Sequence, residues 1–218
     1  MSTRLDIRVQ GRALVSEVDA NNSQISDAEF NTFIDMWQRN LAALVEWPRA
    51  EATSSTVLGQ STYGTPTDLL SFIKILLTDE NSDEYELKPT TIQELNVLYG
   101  DRWKSEDNGQ PKHYFLSDSD VFGIIPPPNS TFATKTLRLL YVIVPAALTA
   151  DGDTPDLPTV YHDTGQYFAA AHALYKIGKI HEGDNMLRKY FEIVKLLRTQ
   201  VTKQSQELTA WRWEMAPD

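Results

Sequence analysis

The stretch from 109 to 158 constrains the fold more than any other part of this chain. Three short runs rich in apolar and β-branched residues follow one another there, one around Tyr114 and two at 121–125 and 137–144. Three consecutive prolines at 126–128 follow the second run, and another proline follows the third. Because proline cannot donate a hydrogen bond to a neighbouring strand, these prolines end the strands. The pattern predicts a compact β-meander, and no residue within it suggests a chemical reaction.

The composition is that of an ordinary folded protein with an acidic balance. The chain has 218 residues, of which 41% are hydrophobic and 23% charged, so one domain or two small ones with a buried core are expected. A net charge of -10 argues against a protein that binds nucleic acid by neutralising phosphates. The chain has no cysteine, which excludes disulfides, thiolate metal sites and cysteine nucleophiles.

The first 49 residues favour helix. Ser26 and Glu29 are spaced as in a capping box, in which a hydroxyl and a carboxylate each bind a free amide at a helix start. Behind them apolar residues recur every three or four positions, which predicts an amphipathic helix that ends before Pro48. A weaker pattern predicts a shorter helix over 5–18. The apolar stripe comprises Phe30, Phe33, Ile34, Trp37, Leu41, Leu44 and Val45.

The middle of the chain favours strands. A strand is predicted over 54–60, while the apolar run at 69–77 fits a strand or a helix, because so short a run does not decide between them. Thr91 and Glu94 predict another capping box and a short helix over 92–98. Together with the three runs described above, these elements predict a meander of five or six strands.

The last part of the chain returns to helix. Pro158 lies where a first helical residue is often found, and two amphipathic patterns at 161–175 and 186–201 predict a helical hairpin packed against the amino-terminal helix. The predicted fold class is α+β: an antiparallel helical bundle built from both chain ends, with an inserted β-rich middle region of meander or sandwich-like form. The predicted divisions are a first helical part at 1–50, the β-rich insertion at 51–157, a second helical part at 158–206 and a carboxyl-terminal arm at 207–218.

No catalytic or metal-binding motif has the required spacing. Asp79, Asn81 and Asp83 resemble the start of a calcium loop, but the glycine and the final glutamate of such a loop are missing, so a solvated turn is predicted. Phosphate-binding loops and nucleophile elbows are absent from the sequence. The chain is therefore predicted to have no catalytic, cofactor or metal site. The histidines, which show no ligand spacing and are expected to be ordinary buried or surface residues, are His113, His162, His172 and His181.

Large side chains near the carboxyl terminus are the candidates for binding. Trp37 lies on the helical stripe and is expected in the core. Trp211 and Trp213, with Met215 close by, lie in a terminal segment that is expected to be exposed. Two interpretations stand side by side: the segment folds back onto its own domain, or it docks on a neighbouring subunit with these three residues as anchors. The three residues form the candidate interface.

The hydropathy pattern predicts a protein that does not enter a membrane. The amino-terminal residues lack the apolar core typical of a signal peptide. The longest strongly apolar run, at 137–148, is shorter than the roughly 20 residues of a membrane-spanning helix. The protein is therefore expected to be made and folded in the cytoplasm.

One order of landmarks resembles a known family. An apolar strand runs into the prolines at 126–128, and an alanine-rich helical hairpin follows Pro158. This order is similar to that of the head-to-tail adaptor proteins of tailed bacteriophages, in particular the tail tubular protein A type of short-tailed phages. The resemblance covers about 26–197. The individual residues that carry the resemblance are Gly109, Pro111, Tyr114, Leu137, Leu139, Tyr141, Pro145 and Leu148.

The resemblance implies a structural role in the virion. Such adaptors form a dodecameric ring beneath the portal protein of the capsid, contact the tail or nozzle protein, and let genomic DNA pass through the channel without sequence-specific binding. They use no cofactor, catalyse nothing and bind no membrane. The expectation is a head-to-tail adaptor made in the host cytoplasm. The alternatives are a soluble helical scaffold or binding module with a β-insertion, a tail-side neck protein, and a hydrolase whose carboxylates converge only in the fold.

Overall fold

The computed structural model describes residues 2–16, 24–79, 81–100, 107–118 and 120–214, with side chains up to 199. The chain divides into two compact units. The helical unit comprises Met1–Trp47 and Pro145–Asp218, and the sheet unit comprises Pro48–Val144. The four-part division drawn from the sequence stays a prediction.

Five α-helices lie in the described part of the chain. They are α1 (Arg4–Val15), α2 (Asp27–Val45), α3 (Ile92–Tyr99), α4 (Gly165–Lys176) and α5 (Ile180–Glu214). All but α3 belong to the helical unit, where a 3-10 helix, Thr159–Thr164, leads directly into α4. No helix among the described residues combines the length and the apolar character of a membrane span.

Capping boxes start three of these helices. At α2 the Ser26 hydroxyl accepts a hydrogen bond from the Glu29 N–H, and the Glu29 carboxylate accepts one from the Ser26 N–H at 2.9 Å, which confirms the prediction. The box predicted at the start of α3 is confirmed in the same way. A third box, Thr3 with Asp6, starts α1. This box was not predicted, because an aspartate takes the place of the usual glutamate or glutamine.

Helix α4 is the centre of the helical unit and packs against α1, α2 and α5. The alanines at 169–171 are fully buried, so neighbouring helices approach it closely. Trp37 of α2 is buried as predicted, and its indole N–H donates to the Thr164 hydroxyl at 3.1 Å. On the side of α5, the ring of Tyr190 meets that of Phe168 edge-on at 5.2 Å. Small residues on α4 therefore let three helices converge on it.

Three arginines hold α1 in place. Arg4, Arg8 and Arg12 recur every four residues and so share one face of the helix, where Arg8 and Arg12 are buried. The Asp151 carboxylate accepts hydrogen bonds from Arg4 at 2.9 Å and from Arg8 at 2.8 and 2.9 Å. Asp27 accepts two from Arg12, at 2.7 and 3.0 Å. Because a buried guanidinium is tolerated only with such partners, these pairs join α1 to the start of α2 and to the turn that carries Asp151.

The sheet unit contains one seven-stranded sheet. Its strands are β1 (Arg49–Ser55), β2 (Thr62–Gly64), β3 (Leu69–Thr78), β4 (Glu84–Pro89), β5 (His113–Asp118), β6 (Val121–Ile125) and β7 (Thr136–Ile143). Their order across the sheet is β1-β7-β3-β4-β5-β6-β2. β1 pairs antiparallel with β7 along its whole length, whereas β4 pairs parallel with β5.

The predicted fold class is wrong. The described chain is a mixed α+β fold with a seven-stranded sheet and five helices, not an antiparallel helical bundle with an inserted meander. In a meander consecutive strands are neighbours, whereas β7 here lies between β1 and β3, and the helices outside the sheet unit gather around the short α4. Strand order depends on pairings between distant segments, and local apolar patterns do not encode these pairings.

Single strands were predictable where proline or a strong apolar run marks them. β6 covers the predicted 121–125, and the ambiguous run at 69–77 is the strand β3. The strand predicted over 54–60 is wrong, because β1 ends at Ser55. The residues that follow form a turn, in which the Gln60 N–H donates to the Val57 carbonyl at 3.1 Å.

One glycine sets how closely β5 and β6 pack. Phe115 of β5 lies opposite Gly123 of β6. A Cβ atom on Gly123 would stand 2.2 Å from Cζ of the Phe115 ring. The buried ring therefore occupies the space that any other side chain at this position would need.

Replacing this glycine should loosen the sheet unit. We expect Gly123→Ala to lower the free energy of unfolding by about 1–3 kcal/mol, because the ring and the new methyl group cannot both fit. Urea denaturation followed by circular dichroism measures this change. Gly64→Ala is the matched control: Gly64 also lies in a strand, but a Cβ atom added there would have no other atom within 4 Å, so a change within about 0.5 kcal/mol is expected. Equal effects of the two substitutions would contradict the packing argument.

The arginine pairs should make stability depend on pH. Hydrogen bonds from Arg8 and then from Arg4 hold the pKa of Asp151 below its ordinary value. A carboxyl group with a lowered folded-state pKa stabilises the fold above its unfolded pKa of about 3.9, and this contribution is lost as the pH falls through the folded-state pKa. We expect Asp151→Asn to be less stable at pH 7 and to lose less stability than the wild type on acidification.

Urea titrations between pH 7 and pH 3 check this expectation. Asp156→Asn is the control, because Asp156 is an exposed aspartate five residues further along the same segment. It should follow the wild-type curve. If Asp151→Asn also followed the wild-type curve, the ion pairs of Asp151 would contribute nothing to folding.

Candidate protein-binding surface

The predicted candidate interface falls mostly outside the described residues. The backbone of α5 continues to Glu214 and so carries Trp211 and Trp213, but their side chains lie outside the described part of the chain. Met215 lies outside it altogether. The part that these three residues play in binding stays a prediction.

Two histidines of the helical unit lie among core residues. The His172 ring stacks on Phe33 at 5.8 Å and lies 4.5 Å from the Phe168 ring, and burial lowers its pKa. His162 is buried, and its Nε2 atom lies 2.9 Å from the Leu157 carbonyl oxygen. Both rings therefore fill space among core residues.

The segment that resembles the start of a calcium loop is a turn. The Asp79 carboxylate accepts hydrogen bonds from the N–H groups of Asn81 at 2.8 Å and Asp83 at 2.9 Å, and so it closes the turn between β3 and β4. Within the described ranges no group of three or more histidines and acids is placed to hold a metal ion.

Three large apolar residues of α3 are exposed. Leu95 is fully buried against Phe115 and Ile125 of the sheet. Val97 and Leu98, by contrast, are 86% and 59% exposed. A helix that packs on a sheet usually turns its apolar residues towards it. The packing of the sheet unit therefore does not explain why the outer face of α3 is apolar. Contiguous exposed apolar residues often mark a binding surface.

A groove of about 650 Å³ lies beside the start of α3, between β3 and β5. We call it the β3–β5 groove. Leu70 and Phe72 line it from β3, and Leu116, which is 56% exposed, lines it from β5. Ile92 of α3 is 42% exposed and lines the groove as well. No charged side chain is among the residues that line it.

A second groove, of about 680 Å³, follows α3 and is lined by charged as well as apolar residues. Lys88, Glu94 and His113 line it together with Val97 and Leu98. Burial, and then the charges of Lys88 and Lys112, lower the pKa of His113, which favours the neutral form of this ring. The two grooves thus differ in chemistry, since only the second presents charged groups.

The exposed side of α3 and the two grooves together form one candidate surface, which we call the α3 surface. The helix was predictable from the sequence, whereas the surface was not. A signal was present for Val97, which lies two positions after Leu95 and therefore about 200° around the helix from it. The grooves left no such trace, since β3 and β5 are far apart in the sequence.

Two substitutions separate the buried and the exposed side of α3. We expect Leu95→Ala to lower the free energy of unfolding by about 2–5 kcal/mol, because it leaves a cavity beneath the helix. Val97→Ala should change it by less than about 0.5 kcal/mol, because Val97 makes little contact with the sheet. Urea denaturation of both variants is the measurement. A large loss of stability in Val97→Ala would mean that the outer face helps to hold the fold and is not free for a partner.

Comparison with known proteins adds one finding. Residues 3–207 match the family model described as SU10 adaptor protein, so the match spans nearly the whole chain and both units. Comparison with curated proteins gives no match.

Proposed function

The chain belongs to the SU10 adaptor protein family of bacteriophage structural proteins, and we propose from this that it forms a ring beneath the portal and connects the capsid to the tail. The predicted phage adaptor is confirmed at the level of the family. The match of nearly the whole chain carries the proposal. The narrower resemblance to tail tubular protein A, and the dodecameric ring that it implies, stay predictions.

The α3 surface supports a role in joining proteins. An adaptor has to hold other proteins of the particle. It therefore needs surfaces that are stable in water but gain free energy when a partner covers them. Val97 and Leu98 supply exposed apolar area on such a surface. The β3–β5 groove adds a concave apolar site beside them. We propose that this surface meets a neighbouring protein of the virion.

The charge of the protein supports the passage of DNA through the ring. With a net charge of -10, the chain offers the phosphates little gain from counterion release. An acidic channel would let genomic DNA pass without adhering to the wall. We propose that the ring lines the DNA passage in this way, without sequence-specific binding.

The carboxyl-terminal residues belong to the same proposal. Two tryptophans and a methionine within five residues are a composition typical of interface anchors. We propose that Trp211, Trp213 and Met215 dock on a neighbouring subunit of the ring.

Negative-stain imaging of this protein mixed with the portal of the same phage tests the function. We expect portal rings that gain a collar of matching symmetry, and we expect a variant that lacks 208–218 to form fewer or incomplete collars. The full-length protein alone, imaged at the same concentration, is the control for self-assembly. Portal rings that stay bare, with this protein free beside them, would contradict the portal-side position and favour a tail-side neck protein.

A further inference from the structure

Asn108 and Gly109 form the only asparagine–glycine pair in the sequence. In such a pair the main-chain nitrogen of the glycine can attack the side-chain amide of the asparagine, because glycine has no side chain that obstructs the approach. Asn108 is exposed, so water and base reach its amide. The chemical requirements for spontaneous deamidation therefore meet at this position.

The reaction has two steps. First the Gly109 nitrogen gives up its proton and bonds to Cγ of Asn108, and ammonia leaves with that proton, so that a cyclic imide forms. Water from the solvent then adds to one of the two imide carbonyls and opens the ring. Opening at Cγ gives an aspartate, whereas opening at the main-chain carbonyl gives an isoaspartate, in which the main chain runs through Cβ and Cγ. Overall, one water replaces one ammonia and the chain gains an acidic group.

The fold holds the attacking nitrogen in another contact. The Gly109 N–H donates to the Pro127 carbonyl at 2.7 Å, and the Gly109 carbonyl accepts from the Asn129 N–H at 3.1 Å. Gly109 and Pro128 form an isolated parallel bridge at the same place. An N–H group held by a carbonyl is protected from base, as in amides that exchange their hydrogen slowly. The bridge therefore has to open before the nitrogen can attack.

Contacts on both sides of the bridge oppose this opening. The Lys112 N–H donates to the Ile125 carbonyl at 2.8 Å, three residues further along the chain. The Gly59 N–H donates to the Pro128 carbonyl at 2.9 Å. Releasing Gly109 thus disturbs neighbouring hydrogen bonds in addition to its own, and each such bond stabilises the closed form.

The geometry points to Asn108 as a deamidation site that the folded sheet unit protects. The reaction proceeds at the rate of the unfolded chain multiplied by the fraction of molecules in which the bridge is open. A chain that stays unfolded, or a sheet unit that opens at this bridge, is therefore modified, whereas the closed form is not.

The isoaspartate product prevents the bridge from closing again. Isoaspartate adds one atom to the main chain directly before Gly109. The closed bridge fixes Gly109 at both its N–H and its carbonyl, against Pro127 and Asn129. The lengthened chain no longer meets both partners in register. Modification of an open bridge thus keeps it open.

Peptide mapping by mass spectrometry tests the site and its protection. The full-length protein is kept at pH 8, either folded in buffer or unfolded in guanidinium chloride, and deamidation is followed in the tryptic peptide that spans 105–112. We expect Asn108 to react at least about ten-fold more slowly in the folded protein, because the bridge has to open first. Equal rates in the two states would show that the bridge gives no protection, and no reaction in the unfolded chain would remove the site. Either result would overturn the inference.

Gly109→Ala is the matched variant for the attack itself. A Cβ atom on Gly109 would be 3.5 Å from Pro126, which is an ordinary contact, so the unfolding midpoint should stay that of the wild type. We expect the methyl group to slow the reaction of the unfolded chain about ten-fold, because it obstructs the approach of the nitrogen. A rate equal to that of the wild type would contradict attack by the Gly109 nitrogen.

Asn108→Asp separates the new charge from the lengthened main chain. This variant carries the carboxylate but keeps the ordinary main chain, so after refolding its amides at 108–112 should be protected from hydrogen exchange as in the wild type. Wild-type protein that has been converted in guanidinium chloride and then refolded contains isoaspartate. In the isoaspartate peptides we expect these amides to exchange at least about ten-fold faster. Equal protection in the two refolded samples would contradict the loss of the bridge.

Discussion

The pairing of β1 with β7 is the constraint on which the sheet unit depends. β1 starts directly after Pro48 and β7 ends directly before Val144, which are the two ends of the unit, and all seven residues of β1 take part in the ladder. The Ile143 N–H also donates to the Pro48 carbonyl at 3.0 Å. The chain therefore enters and leaves the unit at neighbouring positions. Closing so long a segment costs conformational entropy, and this ladder, with the pairing of β7 and β3 beside it, offsets that cost.

The helical unit is held by a different kind of contact. Small residues on α4 bring α1, α2 and α5 close to one centre, and buried arginines on α1 require their aspartate partners. The Asp151 partner comes from the second part of the unit, more than a hundred residues after α1. Thus charge pairs, in addition to apolar packing, join the two ends of the chain within this unit. In both units small residues permit close packing. Gly123 leaves room for the Phe115 ring in the sheet unit, and the alanines of α4 let neighbouring helices approach in the helical unit.

Exposed apolar residues of the sheet unit lie on and beside α3. Val97 and Leu98 face outward from this helix, and no charged side chain lines the β3–β5 groove beside it. His162 and His172 pack among core residues, and Asp79 closes a turn. What an adaptor needs is surface that is stable when free and gains free energy when covered. Exposed apolar residues on an otherwise well-packed unit meet this need.

Local signals in the sequence were enough to determine where many elements begin and end. Capping boxes marked the starts of α2 and α3, prolines at 126–128 marked the end of β6, and the apolar stripe placed Trp37 in the core. The order of landmarks also indicated the phage adaptor, which the family match confirms. Strand order, the burial of Arg8, and the groove between β3 and β5 were decided only by the tertiary structure. Each of them depends on which distant segments meet, and a local pattern of residues carries no information about segments it does not touch.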